Sequence, residues 1–517
     1  MRLSSGRRRG QLPMWGARRH SARPGWWPAI AALLLVAFVV LARQRNSDRA
    51  VRGGCSVDGL DRLLEELTLS NCGLSRLPAG IIEFTNLRKL DASGNELCAL
   101  PPLPPSLRML FLSNNRFTEL PQQLRALSQL RMLAFRGNLL QGTLASSVLP
   151  PSLEWLILTE NRIEGLPADL GEAGGSRCAL IKLMLANNQV AALPPSMAAC
   201  ARLELVRLSN NRLEQIPPWL LELPRLAWLA LAGNPALFPA ALRTGSAALP
   251  SFNQAELGVD PSARPLGAGT SGVVHVGHMP GGNSAPVAVK LFKAPHTSDG
   301  TTADEVCASE AASAGAPAGL VRALALVRPA DGADLAAPAG IVLEWLQGYS
   351  SLGQPPSLLT CSRDTYAADA RFSLQGALRT LSAVCGGLLH LHGMQIAHGD
   401  VYAHNILVKP SGEAKLSDFG AAFGYSSARG ALPAQLERLE MRAFGLLISE
   451  LAERLDEVVP SWADKGLRGR ERQTRLRKLA SRAANKVPSE RPLFASVCAE
   501  LAQMEAAVGA SAEEHHR

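Results

Sequence analysis

Leucine recurs on a fixed pattern, L-x-x-L-x-L-x-x-N-x-L, from Leu64 onward. The copies begin at Leu64, Leu87, Leu107, Leu130, Leu153, Leu180, Leu203 and Leu226. Their ninth positions are Cys72, Asn95, Asn115, Asn138, Asn161, Asn188, Asn211 and Asn234. A short strand through positions three to five of each copy would turn the Leu at four inward and its two neighbours outward. Further along, V-V-H-V-G (273–277) alternates like a strand, and P-G-G-N (280–283) reads as a hairpin turn. V-A-V-K ending at Lys290 and G-I-V-L-E-W-L (340–346) predict two more strands. Leu374, Leu378, Leu381, Cys385, Leu388 and His392 fall at three- and four-residue spacing and predict an amphipathic helix. Near the start, residues 26–42 form an apolar run without a charge.

The eight copies in register resemble the leucine-rich repeat family over residues 55–242. No single copy can bury its own leucines, so the copies must stack into one continuous core. The outward positions three and five would line the concave surface. In the middle copies they include Met109, Phe111, Met132, Trp155, Ile157 and Met184, an apolar, Met-rich stripe on a face expected to be wet. Such stripes mark partner surfaces, so a protein partner or substrate is expected there. A neighbouring domain packed on the stripe is the alternative.

After a polar linker, 243–258, a different grammar begins. L-G-A-G-T-S-G-V-V (266–274) places Gly267, Gly269 and Gly272 as G-x-G-x-x-G, with a strand rather than a helix after it. Glycines there let backbone close over phosphates. Lys290 follows Gly272 by 18 residues. H-G-D-V-Y-A-H-N (398–405) sets Asp400 and Asn405 five residues apart, and Asp418-Phe419-Gly420 follows 18 residues after Asp400.

In this order the motifs resemble the protein-kinase family over residues 259–505. The resemblance implies ATP and Mg2+ as cofactors. It implies Asp400, Lys290 and Asn405 as catalytic residues. Nucleotide would be held by Leu266, Gly267, Gly269, Gly272, Val274, Ala288, Lys290, Glu305, Glu344 and Leu346, and metal by Asn405 and Asp418. Leu343 would stand at the back of the adenine pocket. Glu305 and Glu310 both lie in the next helix, and only one can face Lys290. Glu305 is preferred.

Three features depart from the family. Gly399 stands where most members carry Arg, and Tyr402 where a loop Lys is common. The segment from Gly420 to Glu440 has only 19 residues between its ends and lacks Ala-Pro-Glu, so Arg491 loses its usual partner; Glu437 is a substitute candidate. These departures weigh on peptide docking more than on nucleotide binding.

The chain has a net charge of +9, but eleven of its arginines lie in residues 1–52 beside one acidic residue. The rest carries 42 Lys and Arg against 43 Asp and Glu, so no nucleic-acid footprint is expected. Arginines flank the apolar run 26–42 within a 1–50 targeting segment, which predicts a single-pass membrane anchor or, alternatively, a cleaved organelle presequence. No spanning run separates repeats from kinase-like domain, so both share a compartment. The nine cysteines are scattered and without C-x-x-C, which argues against a disulfide framework and for a reducing compartment.

The expected whole is a multidomain chain, α/β plus α+β. A leucine-rich repeat solenoid precedes a bilobal protein-kinase-like fold, with a polar tail at 506–517. The expected activity is ATP-dependent phosphorylation of Ser or Thr in a protein recruited by the repeats. A nucleotide-binding pseudokinase scaffold is the main alternative; a non-kinase ATPase or pure interaction protein is more distant.

Overall fold

The computed structural model describes residues 57–513 except 58, 173–177, 236, 238–248, 270, 282–284, 295–296, 298, 316–317, 330–338, 426–432 and 457–462. The apolar run 26–42 and the polar tail beyond 513 lie outside the described residues. Among the described residues no helix is long and apolar enough to cross a membrane.

Each leucine-rich copy forms one three-residue strand. These are β1 (Glu66–Thr68), β2 (Lys89–Asp91), β3 (Met109–Phe111), β4 (Met132–Ala134), β5 (Trp155–Ile157), β6 (Lys182–Met184), β7 (Leu205–Arg207) and β8 (Trp228–Ala230). They pair in parallel, in chain order, as one eight-stranded sheet. The inward leucines, among them Leu67, Leu90, Leu110, Leu133, Leu156 and Leu183, are fully buried. The ninth-position Asn explains why the repeat holds its bend. Asn138 donates through Nδ2 to Phe135 O and Leu112 O, both at 3.0 Å, and its Oδ1 accepts from Phe117 N at 3.1 Å. One buried amide thereby satisfies backbone groups of two turns, and Asn115, Asn188, Asn211 and Asn234 repeat the arrangement.

The second domain opens with a six-stranded sheet. Its strands are β9 (Ser251–Phe252), β10 (Gly267–Ala268), β11 (Gly272–His278), β12 (Pro286–Phe292), β13 (Ala323–Val327) and β14 (Gly340–Glu344). They lie in the order β9-β13-β14-β12-β11-β10, antiparallel except for the β9–β13 edge. Helix α1 (Thr302–Ser313) packs beside this sheet, its start capped by Thr301 Oγ1 accepting from Asp304 N at 3.1 Å. The helical part contains α2 (Leu374–Gly393), α3 (Pro433–Ala452), α4 (Ala463–Ala483) and α5 (Phe494–Glu513). The apolar stripe of α2 is fully buried at Leu378, Leu381, Cys385 and Leu388.

The two domains share their cores. Ala397, Phe423, Tyr425, Leu436 and Leu439 of the second domain are buried in the same cluster as the repeat leucines. Conversely, Leu205, Ala227 and Trp228 of the last repeats are buried among the helices of the second domain. An interface of this kind behaves as one folding unit rather than as a hinge.

Three expectations are corrected. The concave stripe is not simply wet: Met184 packs against the hydrophobic cluster that the last repeats share with the second domain, the Trp155 indole N–H meets Cys361 Sγ, and Met132 is buried. The cysteines are not all unpaired, because Cys178–Cys200 and Cys385–Cys498 are disulfides with Cα separations of 4.8 and 5.7 Å. The first pair bridges neighbouring turns of the repeat, its 22-residue separation being close to one repeat period, and the second joins α2 to α5 across 113 residues, which leaves no local spacing signal. Glu437 does not replace the missing partner of Arg491. It accepts from Phe494 N at 2.6 Å, while Arg491 donates to the carbonyls of Asn485, Arg438 and Pro224.

Candidate active site

A cleft of about 620 Å³ opens between the six-stranded sheet and the helical part. Its walls include Leu266, Gly267, Gly269, Gly272, Val274, Ala288, Lys290, Glu305, Leu343, Glu344, Leu346, Asn405 and Asp418. The antiparallel hairpin β11–β12 aligns Val274 opposite Lys290, which sets the glycine turn above the lysine. A side chain at Gly272 would meet Leu291 O at 2.5 Å, so that glycine is required by packing. At Gly267 and Gly269 a side chain would project into open space. Packing does not require glycine there, and the bare backbone leaves room for a phosphate-bearing ligand to approach it.

Lys290 crosses the cleft to Glu305 of α1 and lies 3.3 Å from Asp418 Oδ1. Glu310 is on another side of the helix and only partly buried. Burial opposes the charge on Lys290, but Asp418 and Glu305 outweigh it and hold the ammonium above its ordinary pKa. Glu305 Oε2 is buried without a hydrogen-bond partner. Asp418 has φ +62°, a left-handed turn that sends Phe419 into the core of the helical part, where it is 4 % exposed. A lysine–carboxylate pair, an acidic turn beside it and an asparagine below are the group types that hold a nucleotide phosphate chain and its cation.

The catalytic-loop stretch 398–405 is held from beneath by Glu440 of α3. That buried carboxylate accepts from Gly399 N at 2.7 Å, His398 N at 3.2 Å and His392 Nε2 at 2.8 Å. Burial alone would raise its pKa. His392, His398 and the Gly399 N–H outweigh this and hold it below the usual carboxylate value. Asn405 Nδ2 donates to Asp400 Oδ2 and to Asp400 O, both at 2.9 Å. His404 is anchored to Asp364, with Nδ1 to Oδ1 at 2.8 Å.

The repeats supply groups that the loop's own motif does not reveal. Arg207 of β7 donates to Gly399 O at 3.1 Å and to Asp400 Oδ1, and its Nε lies 2.9 Å from Asp299 Oδ1. Trp228 of β8 stacks on Tyr402 at 4.3 Å and 5°, and its indole N–H donates to Val401 O at 3.0 Å. Gly399 has φ +75°, and a side chain there would meet Ala421 O at 2.6 Å and Leu229 O at 2.7 Å. Arg207 and Trp228 were legible only as polar and aromatic residues at concave positions; their destination was not.

Comparison with known proteins agrees with both halves. Residues 262–429 match the family model described as protein tyrosine and serine/threonine kinase, and residues 106–127 the one described as leucine rich repeat. A 56-residue stretch is 43 % identical to the serine/threonine-protein kinase US3 homolog of bovine herpesvirus 1.2 (strain ST), covering 11 % of this chain and 12 % of that protein. A 63-residue stretch is 35 % identical to cyclin-dependent kinase 9 of Homo sapiens, covering 12 % of this chain and 17 % of that protein. The Danio rerio protein of the same name is 36 % identical over 62 residues, with the same coverage of 12 % and 17 %. The matched stretch is thus at most 17 % of the length of these relatives. A leucine-rich repeat region followed by a protein kinase domain gives this chain the architecture of a leucine-rich repeat protein kinase.

Proposed function

We propose that this protein is an ATP-dependent protein kinase that phosphorylates Ser or Thr of a protein bound by its repeats. The observation that carries the proposal is the joint placement of Lys290, Glu305, Asp418 and Asn405 around one cleft, with Asp400 hydrogen-bonded to Asn405 just behind its wall. When bound, ATP supplies the phosphoryl group and magnesium neutralises the charge on it. Leu266, Val274, Ala288 and the 344–346 backbone would hold the adenine. Lys290 would orient the phosphates from its pairing with Glu305. Asp418 and the Asn405 amide oxygen would take the metal, since the Asn405 nitrogen is already committed to Asp400. Asp400 would accept the proton of the substrate hydroxyl. The similarity to a viral serine/threonine-protein kinase favours a hydroxyl of Ser or Thr over Tyr.

The eight-stranded parallel sheet supports reading the repeats as a solenoid. Its early turns, with Met109 and Phe111 half-buried and clear of the second domain's core clusters, would carry the recruited protein. Residues 26–42 would anchor the chain in a membrane. Full-length chain staying with carbonate-washed membranes supports the anchor, and full-length chain released into the wash contradicts it.

One observation favours a nucleotide-gated scaffold instead: Asp400 is not part of the cleft wall and is paired to the repeats. The deciding experiment incubates the full chain with γ-labelled ATP, magnesium and an acceptor protein, beside Asp400→Asn. Transfer that the substitution reduces by about a hundredfold or more is expected of a positioned base. No transfer, with nucleotide still raising the melting temperature, would establish the scaffold.

A further inference from the structure

The catalytic loop contains no Lys or Arg between His398 and Asn405. The place of the common loop lysine is taken by Tyr402, and its ring is committed to the stack with Trp228. His404, the remaining basic side chain after Asp400 in the loop, is committed to Asp364. Yet Asp400 does have a cationic partner. It comes from β7, 193 residues away in sequence, as the buried guanidinium of Arg207. Its side chain is 4 % exposed. One Asp400 oxygen is held by Arg207 and the other by Asn405, so the carboxylate is clamped between a repeat residue and its own loop.

The contacts around the clamp have one direction. Gly399 lacks a side chain where Leu229 O approaches, and Tyr402 presents a ring to Trp228. Arg491 and Arg442 donate to Pro224 O and Arg225 O of the last repeat at 3.1 and 3.0 Å. Ser209 Oγ donates to Asp299 O, and Asn187 Nδ2 to Thr297 O at 2.8 Å, so β7 and its neighbours also hold the segment leading into α1. The departures from the family at Gly399 and Tyr402 are therefore where the repeats sit. A detachable plug would be expected at a small, polar contact. This contact shares two hydrophobic clusters and is built to stay closed.

We propose that the repeat region completes the active site in cis, with Arg207 as a positioning residue that holds the Asp400 carboxylate in place of a loop cation. The proposal rests on the phosphotransfer reading. Charge, and not merely bulk, is required at this position, because the guanidinium is ion-paired to two carboxylates, Asp400 and Asp299.

The test uses the full chain as wild type, Arg207→Met and Arg207→Lys. Label transfer from γ-labelled ATP to an acceptor protein is measured with melting temperature, and hydrogen exchange of peptides spanning 398–405 is followed in parallel. Arg207→Met is expected to lower kcat by about tenfold to a hundredfold, to leave KM for ATP within about twofold, and to speed exchange in the loop. Arg207→Lys is expected to recover part of both. A rise in kcat for Arg207→Met would make the arginine a plug and overturn the proposal. An unchanged kcat, or Lys no better than Met, would overturn it as well. If wild type transfers no label, the phosphotransfer reading fails by itself. The exchange data then decide the clamp, and unchanged exchange in Arg207→Met removes it.

Discussion

Replacing Gly399 by Ala tests how closely the repeats approach the catalytic loop. The position has φ +75°, and left-handed backbone costs a residue with a side chain about 1–2 kcal/mol. The added Cβ would stand 2.6 Å from Ala421 O and 2.7 Å from Leu229 O, both backbone atoms that cannot rotate away. Overpacking of this kind costs about 1–3 kcal/mol. The two effects together give a loss of about 2–5 kcal/mol, which for a folding unit of this size corresponds to a fall of roughly 2–5 °C in melting midpoint. Gly386→Ala is the control. Gly386 lies in α2 with nothing within 4 Å of an added Cβ, so it should be neutral or slightly stabilising. The assay is thermal unfolding of the full chain followed by circular dichroism. Gly399→Arg, which restores the residue common in the kinase family, should be at least as harmful as Gly399→Ala. A Gly399→Arg variant that melts like wild type would refute the close packing of Leu229 on this loop.

Substitutions at three further residues probe the same region. Glu440→Gln places a donor against the Gly399 N–H and should cost about 3–5 kcal/mol by urea unfolding, since it breaks a buried charged network. The depressed pKa of Glu440 means that its contribution is present above its unfolded value of 4.5 and is lost as pH falls through the folded value, so Glu440→Gln should flatten the acid limb of stability against pH. His404 shows the opposite sign: burial lowers its pKa, but Asp364 outweighs this and raises it above 6.5. That contribution is complete below 6.5 and fades as pH rises through the folded value, and Asp364→Asn should remove the slope in a pH series of melting curves. Trp228→Phe keeps an aromatic ring against Tyr402 but leaves Val401 O without its donor, and should cost about 1–3 kcal/mol; Trp228→Ala should cost about 3–5 kcal/mol.

Much of the fold was legible because its signals are local. The repeat register follows from Leu and Asn at fixed offsets, and each copy carries the whole pattern for its strand. Lys290, Asp400, Asn405 and Asp418 stand in short motifs whose order along the chain can be read directly. What could not be read depends on contacts between distant segments. The Arg207–Asp400 pair spans 193 residues, and nothing near either residue signals the other. Gly399 and Tyr402 looked like losses when compared with the family; in the structure each has a partner, Leu229 O and Trp228. The Cys385–Cys498 bond was hidden for the same reason, since only the packing of α2 on α5 brings the two together.

The repeats either hold the catalytic loop in solution or they do not, and a double-mutant cycle between Arg207 and Asp400 measures this most directly. Arg207→Met, Asp400→Asn and the double variant would be compared with wild type by urea unfolding of the full chain, which needs neither substrate nor activity. A buried ion pair across the interface predicts a coupling free energy of about 1–3 kcal/mol. Strictly additive losses, with coupling indistinguishable from zero, would mean that Arg207 does not touch Asp400 and that the repeats are not part of the active site.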